Sequence, residues 1–133
     1  MAEAIVLALV PDLMFATRIE SALGYLGYRP LIVKDAAGLL AAAHIQAPAL
    51  VLVDLAAVGV DVPAAITALK ASPVTRAIPL VAFGPHLDEA ARAAARAAGA
   101  DAVVANSKLA LDLPGLLARY APANESRSEP REP

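Results

Sequence analysis

The sequence has no cysteine in its 133 residues. Disulfides, thiolate nucleophiles and cysteine-built metal sites are therefore excluded, and the absence suits a cytosolic chain. Long hydrophobic runs are missing too. The longest, at 47–53 and 77–83, stop at strand length, short of the roughly 18–20 residues that span a bilayer. There is no basic block either. The 13 acidic and 11 basic residues are spread along the chain for a formal net charge of −2, which argues against a nucleic-acid footprint. Histidine is scarce, and His44 and His86 are far apart in sequence. Each reads as an ordinary surface or half-buried side chain rather than a ligand or a base. The opening Met-Ala-Glu-Ala carries an acid where a secretory leader would carry basic residues. The expectation is a soluble, cytoplasmic protein with neither nucleic acid nor membrane among its partners.

Apolar side chains, by contrast, are abundant: 59% of the residues are hydrophobic and the mean hydropathy is +0.60. A single domain of this length buries roughly two thirds of the surface its unfolded chain exposes. The apolar residues fall in short runs at 4–10 (AIVLALV), 30–33 (PLIV), 49–53 (ALVLV), 78–83 (IPLVAF) and 101–105 (DAVVA). Most are continuously apolar, as parallel strands covered on both faces must be. Helical patterns lie between them. Asp12 caps a helix with Phe15, Ile19, Ala22, Leu23 and Leu26 on one face. Asp35 caps a second, with Leu39, Leu40 and Ala43 inward before Pro48 stops it. Pro63 opens a third, with Ile66 and Leu69 inward. The fourth begins near Leu87, exposes Arg92 and Arg96 and ends at Gly99. The fifth is expected from Asp112, because Pro114 is tolerated only in a first turn. Residues 1–120 make one domain, and the Pro-, Glu-, Ser- and Arg-rich stretch 121–133 is expected to be a disordered tail.

Strands alternating with helices imply a doubly wound α/β fold, a five-stranded parallel sheet with helices on both faces. A dinucleotide-binding version needs a glycine-rich turn after the first strand. Here that turn is Val10, Pro11, Asp12 and Leu13, without glycine, so the flavodoxin-like order 2-1-3-4-5 is the expectation. In such sheets chemistry gathers beyond the carboxyl ends of the strands. The third strand ends LVLVDL, which puts Asp54 at the middle of that edge.

With Asp54 there, the IPLVAF strand, and the AGAD turn at 98–101 before the fifth strand, residues 5–120 resemble the receiver domains of bacterial response regulators. The resemblance implies that Asp54 sits at the phosphoacceptor position. It also implies what should surround it. An acidic pair after the first strand holds magnesium with the phosphoacceptor, and a hydroxyl residue after the fourth strand and a lysine after the fifth bind the phosphoryl oxygens. Those groups offset charge as two anions meet. Here the acidic-pair positions fall on Val10 and Pro11, with Asp12 one place late. The hydroxyl position is Gly84, the lysine position Asn106, the following proline position Ser107, and the coupling aromatic Val103. Lys108 comes two residues late for the lysine. The loop at 55–62, LAAVGVDV, lacks the family's landmarks.

The resulting expectation is a degenerate, pseudo-receiver module of two-component phosphorelay signalling. It would not be an enzyme, and it would act by protein–protein contact with little or no phosphorylation. Its partner would be a signalling protein, a histidine kinase or a second copy. The partner would meet the face of the fourth helix, fifth strand and fifth helix, where the alanine-rich stretch 90–98 allows close approach. No catalytic residues and no cofactor are expected. Magnesium enters only if Asp54 is an active phosphoacceptor, with Asp12 and Asp54 as its remaining ligands. That atypical phosphoacceptor, helped by Asp12 and Lys108, is the second reading. A small flavodoxin-like ligand-binding protein or enzyme is the third. Each site residue also has a plain reading: Asp54 and Asp12 as backbone caps, Gly84, Asn106 and Ser107 as turn formers.

Overall fold

The computed structural model describes residues 3–122. Five strands, β1 (Ile5–Leu9), β2 (Arg29–Val33), β3 (Leu50–Asp54), β4 (Leu80–Gly84) and β5 (Ala102–Ala105), form one sheet. Every pairing is parallel and the order is β2-β1-β3-β4-β5. The expected flavodoxin-like order is the observed one. Helices α1 (Leu13–Tyr25), α2 (Ala36–Gln46), α3 (Val62–Ala71) and α4 (Glu89–Ala98) fill the crossovers, and α5 (Asn106–Leu111) and α6 (Leu113–Tyr120) follow β5.

Because side chains alternate along a strand, β1 feeds two cores. Val6, Ala8 and Val10 pack with α1, α5 and α6, whereas Leu7 and Leu9 pack with α2, α3 and α4. β1, β3 and β4 are buried almost throughout, which is why their sequences show no polar alternation. Each leucine or valine so buried contributes roughly 1.5–3 kcal/mol.

Four helices begin on an aspartate. Asp12, Asp35, Asp61 and Asp88 each accept a backbone N–H three residues on, from Phe15, Gly38, Ala64 and Ala91. The last helix starts where expected, with Asp112 as the N-cap of α6 and Pro114 in its first turn. Two features depart from the sequence reading, a short extra helix ahead of α6 and the setting of Arg92. α5 starts directly at Asn106, and Asp112 marks a break before α6, where Pro114 can give no helical N–H and restricts the residue before it. Arg92 is not a solvated side chain. It lies half-buried, with Nη2 3.5 Å from the carbonyl oxygen of Val103 on β5. Ala121 is buried and its carbonyl accepts the Tyr28 hydroxyl at 2.6 Å, so packing continues past residue 120. Of the expected tail, 121–133, the stretch 123–133 lies outside the described residues.

The edge of the sheet opposite Asp54 is held by one polar knot. Lys70 Nζ donates to the carbonyls of Arg76 (3.3 Å) and Ile78 (2.9 Å) and to Asp101 Oδ2 (2.9 Å). The same Oδ2 accepts the Leu80 N–H at 2.8 Å. Gly99 ends α4 at φ +119°, and a Cβ there would come within 2.9 Å of Lys70 Cγ. Asp101→Ala orphans the Leu80 amide and should lower unfolding free energy in urea by about 1–2 kcal/mol. Asp101→Asn retains an acceptor and should lose less.

Candidate functional site

The parallel register brings the carboxyl ends of four strands into line. Leu9 pairs with Val53, Asp54 with Phe83, and Gly84 with Ala105. Residues that follow or end these strands, among them Asp12, Asp54, Gly84 and Asn106, therefore share one edge. Asp54 is half-buried at its centre. Its Oδ1 accepts the Ala56 N–H at 2.9 Å, and its carbonyl accepts the Ala57 N–H at 3.2 Å.

Two adjoining hollows open over this carboxylate. One, of about 370 Å³, is lined by Pro11, Asp12, Asp54, Ala56, Ala57 and Val58. The other, of about 290 Å³, is lined by Asp12, Phe15, Asp54, Ala56 and Asn106. Burial raises the Asp54 pKa above its ordinary 3.8; the Ala56 N–H opposes this, and the neighbouring Asp12 carboxylate adds to it. A carboxylate whose folded pKa is raised gives its full stabilisation below the unfolded pKa and loses it as pH rises through the folded value. Asp54→Asn keeps an oxygen for Ala56 and removes that loss. The variant should therefore melt higher than the parent at neutral pH, and the gap should close below about pH 3. Thermal unfolding at both pH values checks the sign.

The structure brings Asp12, Pro11, Asp54 and Asn106 together and sets the other sequence candidates apart. Val10 is a core residue, 1% exposed, with its N–H bonded to the Val33 carbonyl. Ser107 is exposed and lines neither hollow. Lys108 is paired with Asp112 at 3.0 Å, one turn along α5–α6. Val103 is half-buried, and its backbone carbonyl is the group that Arg92 Nη2 approaches. Gly84 is buried, and the space above it is filled. A Cβ built there would lie 3.0 Å from Leu55 Cβ and 3.1 Å from Leu55 Cδ1. Any side chain at 84 would thus press on Leu55, which would have to shift.

Leu55 and Phe15 are the two site residues that sequence reasoning missed. Phe15 was assigned to an inward helical face. Its role at the hollow depends on Phe83, against which it packs edge-to-face with centroids 5.6 Å apart and planes 69° apart. Leu55 follows the phosphoacceptor position and carries no signal of its own in the sequence.

A magnesium ion prefers near-octahedral oxygen ligation. Of the residues lining the two hollows only Asp12 and Asp54 offer carboxylates, and each already accepts a backbone N–H through one oxygen. The two acidic-pair positions are an aliphatic core residue and a proline. Among the described residues no three His, Cys, Asp or Glu side chains cluster as metal ligands. The donor set does not match the magnesium site that the resemblance implies.

No family model and no curated protein matches the chain. Solved structures do. The receiver domain of sensor histidine kinase PA1611 from Pseudomonas aeruginosa, with magnesium in its active-site cleft, superposes with a TM-score of 0.81 at 24% identity, covering 90% of this chain and 98% of that one. The chemotaxis response regulator CheY4 of Vibrio cholerae gives 0.79 at 17%, covering 90% and 99%. A response regulator from Chloroflexus aurantiacus gives 0.77 at 21%, covering 89% and 100%. The protein is a doubly wound, flavodoxin-like α/β domain. More narrowly, its fold is that of the receiver domains of two-component signalling.

Proposed function

We propose that this chain is a pseudo-receiver, a signalling module that works by binding a protein partner with little or no phosphorylation at Asp54. The observation that carries the reading is Leu55 over Gly84. The hydroxyl is missing, and a side chain restored at 84 would have to displace Leu55. The other losses act in the same direction. Asn106 is neutral where a cation would stabilise transferring phosphoryl oxygens, and Lys108 lines neither hollow and lies in a half-exposed pair with Asp112. On this reading the protein is not an enzyme, needs no cofactor and works in the cytoplasm.

The partner is a histidine kinase, another signalling protein or a second copy. The face formed by α4, β5 and the helices after β5 supplies one surface for it. α4 exposes small alanines there, and Arg92 spans from α4 to β5. The test is incubation with acetyl phosphate and magnesium, followed by intact-mass measurement. A mass unchanged from the Asp54→Ala variant is the expected result. A phosphate adduct lost in Asp54→Ala would reject the reading in favour of an atypical phosphoacceptor.

A further inference from the structure

The edge that holds Asp54 has a second property, unrelated to phosphoryl chemistry. Four large apolar side chains there are left in solvent: Leu13 and Met14 at the start of α1, Val58 in the loop after β3, and Leu87 in the loop after β4. They are between 72% and 89% exposed. Leu13 and Met14 directly follow Asp12, and Val58 itself lines the larger hollow. Exposed apolar side chains at the rim of a hollow, like that of Val58, mark surfaces that partners cover when they join into a patch. The hollow they flank is negatively charged. Its lining includes two carboxylates and no lysine, arginine or histidine. Lys34 and His86 follow strands on the same edge but line neither hollow, and Lys108 is engaged with Asp112.

We infer that this edge is a docking surface for a partner protein segment that carries one arginine or lysine between apolar residues. The basic side chain enters the hollow between Asp12 and Asp54, and its apolar neighbours cover Leu13, Met14 and Val58. The inference rests on the pseudo-receiver reading, since a phosphorylated or magnesium-loaded Asp54 would not be free for it. Charge and shape select this occupant together. A bare metal ion would satisfy the carboxylates but leave the apolar side chains in water. A purely apolar segment would bury Asp54 without compensation, which is costly. A basic side chain gives Asp54 the counter-charge it lacks. An arginine can bind two oxygens at once through its planar fork.

Proton–nitrogen NMR titration of the full chain tests this. The probe is a short amidated peptide with one arginine flanked by leucines, and its match has citrulline in place of arginine. Expected are shifts centred on Asp12, Phe15, Ala56 and Asn106, with the citrulline peptide about tenfold weaker. Asp54→Asn and Asp12→Asn should each weaken the arginine peptide several-fold, and each leaves an acceptor for the amide it caps. Leu13→Ser, at an exposed position, should weaken both peptides alike. Equal binding of the two peptides, shifts centred elsewhere, or no binding at millimolar peptide would overturn the inference. The same samples are then titrated with magnesium and beryllofluoride. A response there, centred on Asp54, would overturn the pseudo-receiver reading itself. Silence to both probes would remove only the docking surface.

Discussion

Phe83→Ala should lower the unfolding free energy by about 3–5 kcal/mol, the range for emptying a well-packed aromatic site. Phe83 is fully buried on β4 and pairs with Asp54 on one side and Val104 on the other. With strands fixed on both flanks, the backbone has little freedom to collapse into the space. The ring also meets Phe15 edge-to-face, a contact that adds about 0.5–1.5 kcal/mol beyond burial. Phe15 stands in the first turn of α1, where its N–H is held by Asp12 at 3.0 Å. The loss should therefore reach the hollow, with the amides of Asp12 and Phe15 exchanging faster than in the parent protein. Phe15→Ala is the control. Its ring is only partly buried, so the cost should be smaller. Urea denaturation of the two variants measures the difference. A loss under about 1 kcal/mol for Phe83→Ala would mean that β4 is less tightly packed than described.

Gly84→Thr puts back a hydroxyl at the end of β4. The expected result is a loss of about 3 kcal/mol, near the upper end for overpacking a core site, with no gain of phosphorylation. The first added carbon already stands 3.0 Å from Leu55 Cβ, and threonine brings two more heavy atoms into the same space. Leu55 cannot simply leave, because it packs against the core formed by α2, α3 and α4. Gly84→Ala should cost less, and Leu55→Ala should relieve part of the threonine penalty. The coupling is read from the cycle of Gly84→Thr, Leu55→Ala and the double variant. Additive losses would show that Leu55 does not fill the hydroxyl position. Restored phosphorylation in Gly84→Thr alone would show that one missing group, rather than the whole arrangement, had silenced the site.

Much of the fold could be read from the residues. The continuously apolar runs at 49–53 and 78–83 belong to central strands with helices on both faces, and such burial leaves an unmistakable pattern. The aspartate caps at Asp12 and Asp35 were equally legible, because a cap uses only local hydrogen bonds. Asp61, followed by Val62 and Pro63, carried the same signal. Pro63, which suits a first helical turn, marks the same helix start more plainly. The helix from Asp112 is legible as α6, but the short α5 ahead of it has no counterpart among the sequence expectations. Asn106 and Ser107 favour turns, but β5 feeds straight into a helix whose Leu109 is buried, and packing overrides a weak local preference. Arg92 was misread because nothing in its own helix signals the Val103 carbonyl eleven residues later.

The site was legible as a set of positions but not as a shape. The absent hydroxyl and lysine could be counted at Gly84 and Asn106. That Leu55 fills the space over Gly84 depends on β3 lying beside β4 in one register, which no local pattern encodes. The Lys108–Asp112 pair, by contrast, has an i, i+4 spacing that the sequence displays.

The central claim is that Asp54 no longer works as a phosphorylation switch. A proton–nitrogen NMR titration of the whole chain with magnesium and beryllofluoride, which mimics an aspartyl phosphate, tests it most directly. The account predicts that the amides of Asp54, Leu55, Gly84 and Asn106 keep their positions in a well-folded sample. Saturable shifts centred on Asp54 that spread into α4, and that vanish in Asp54→Ala, would contradict it.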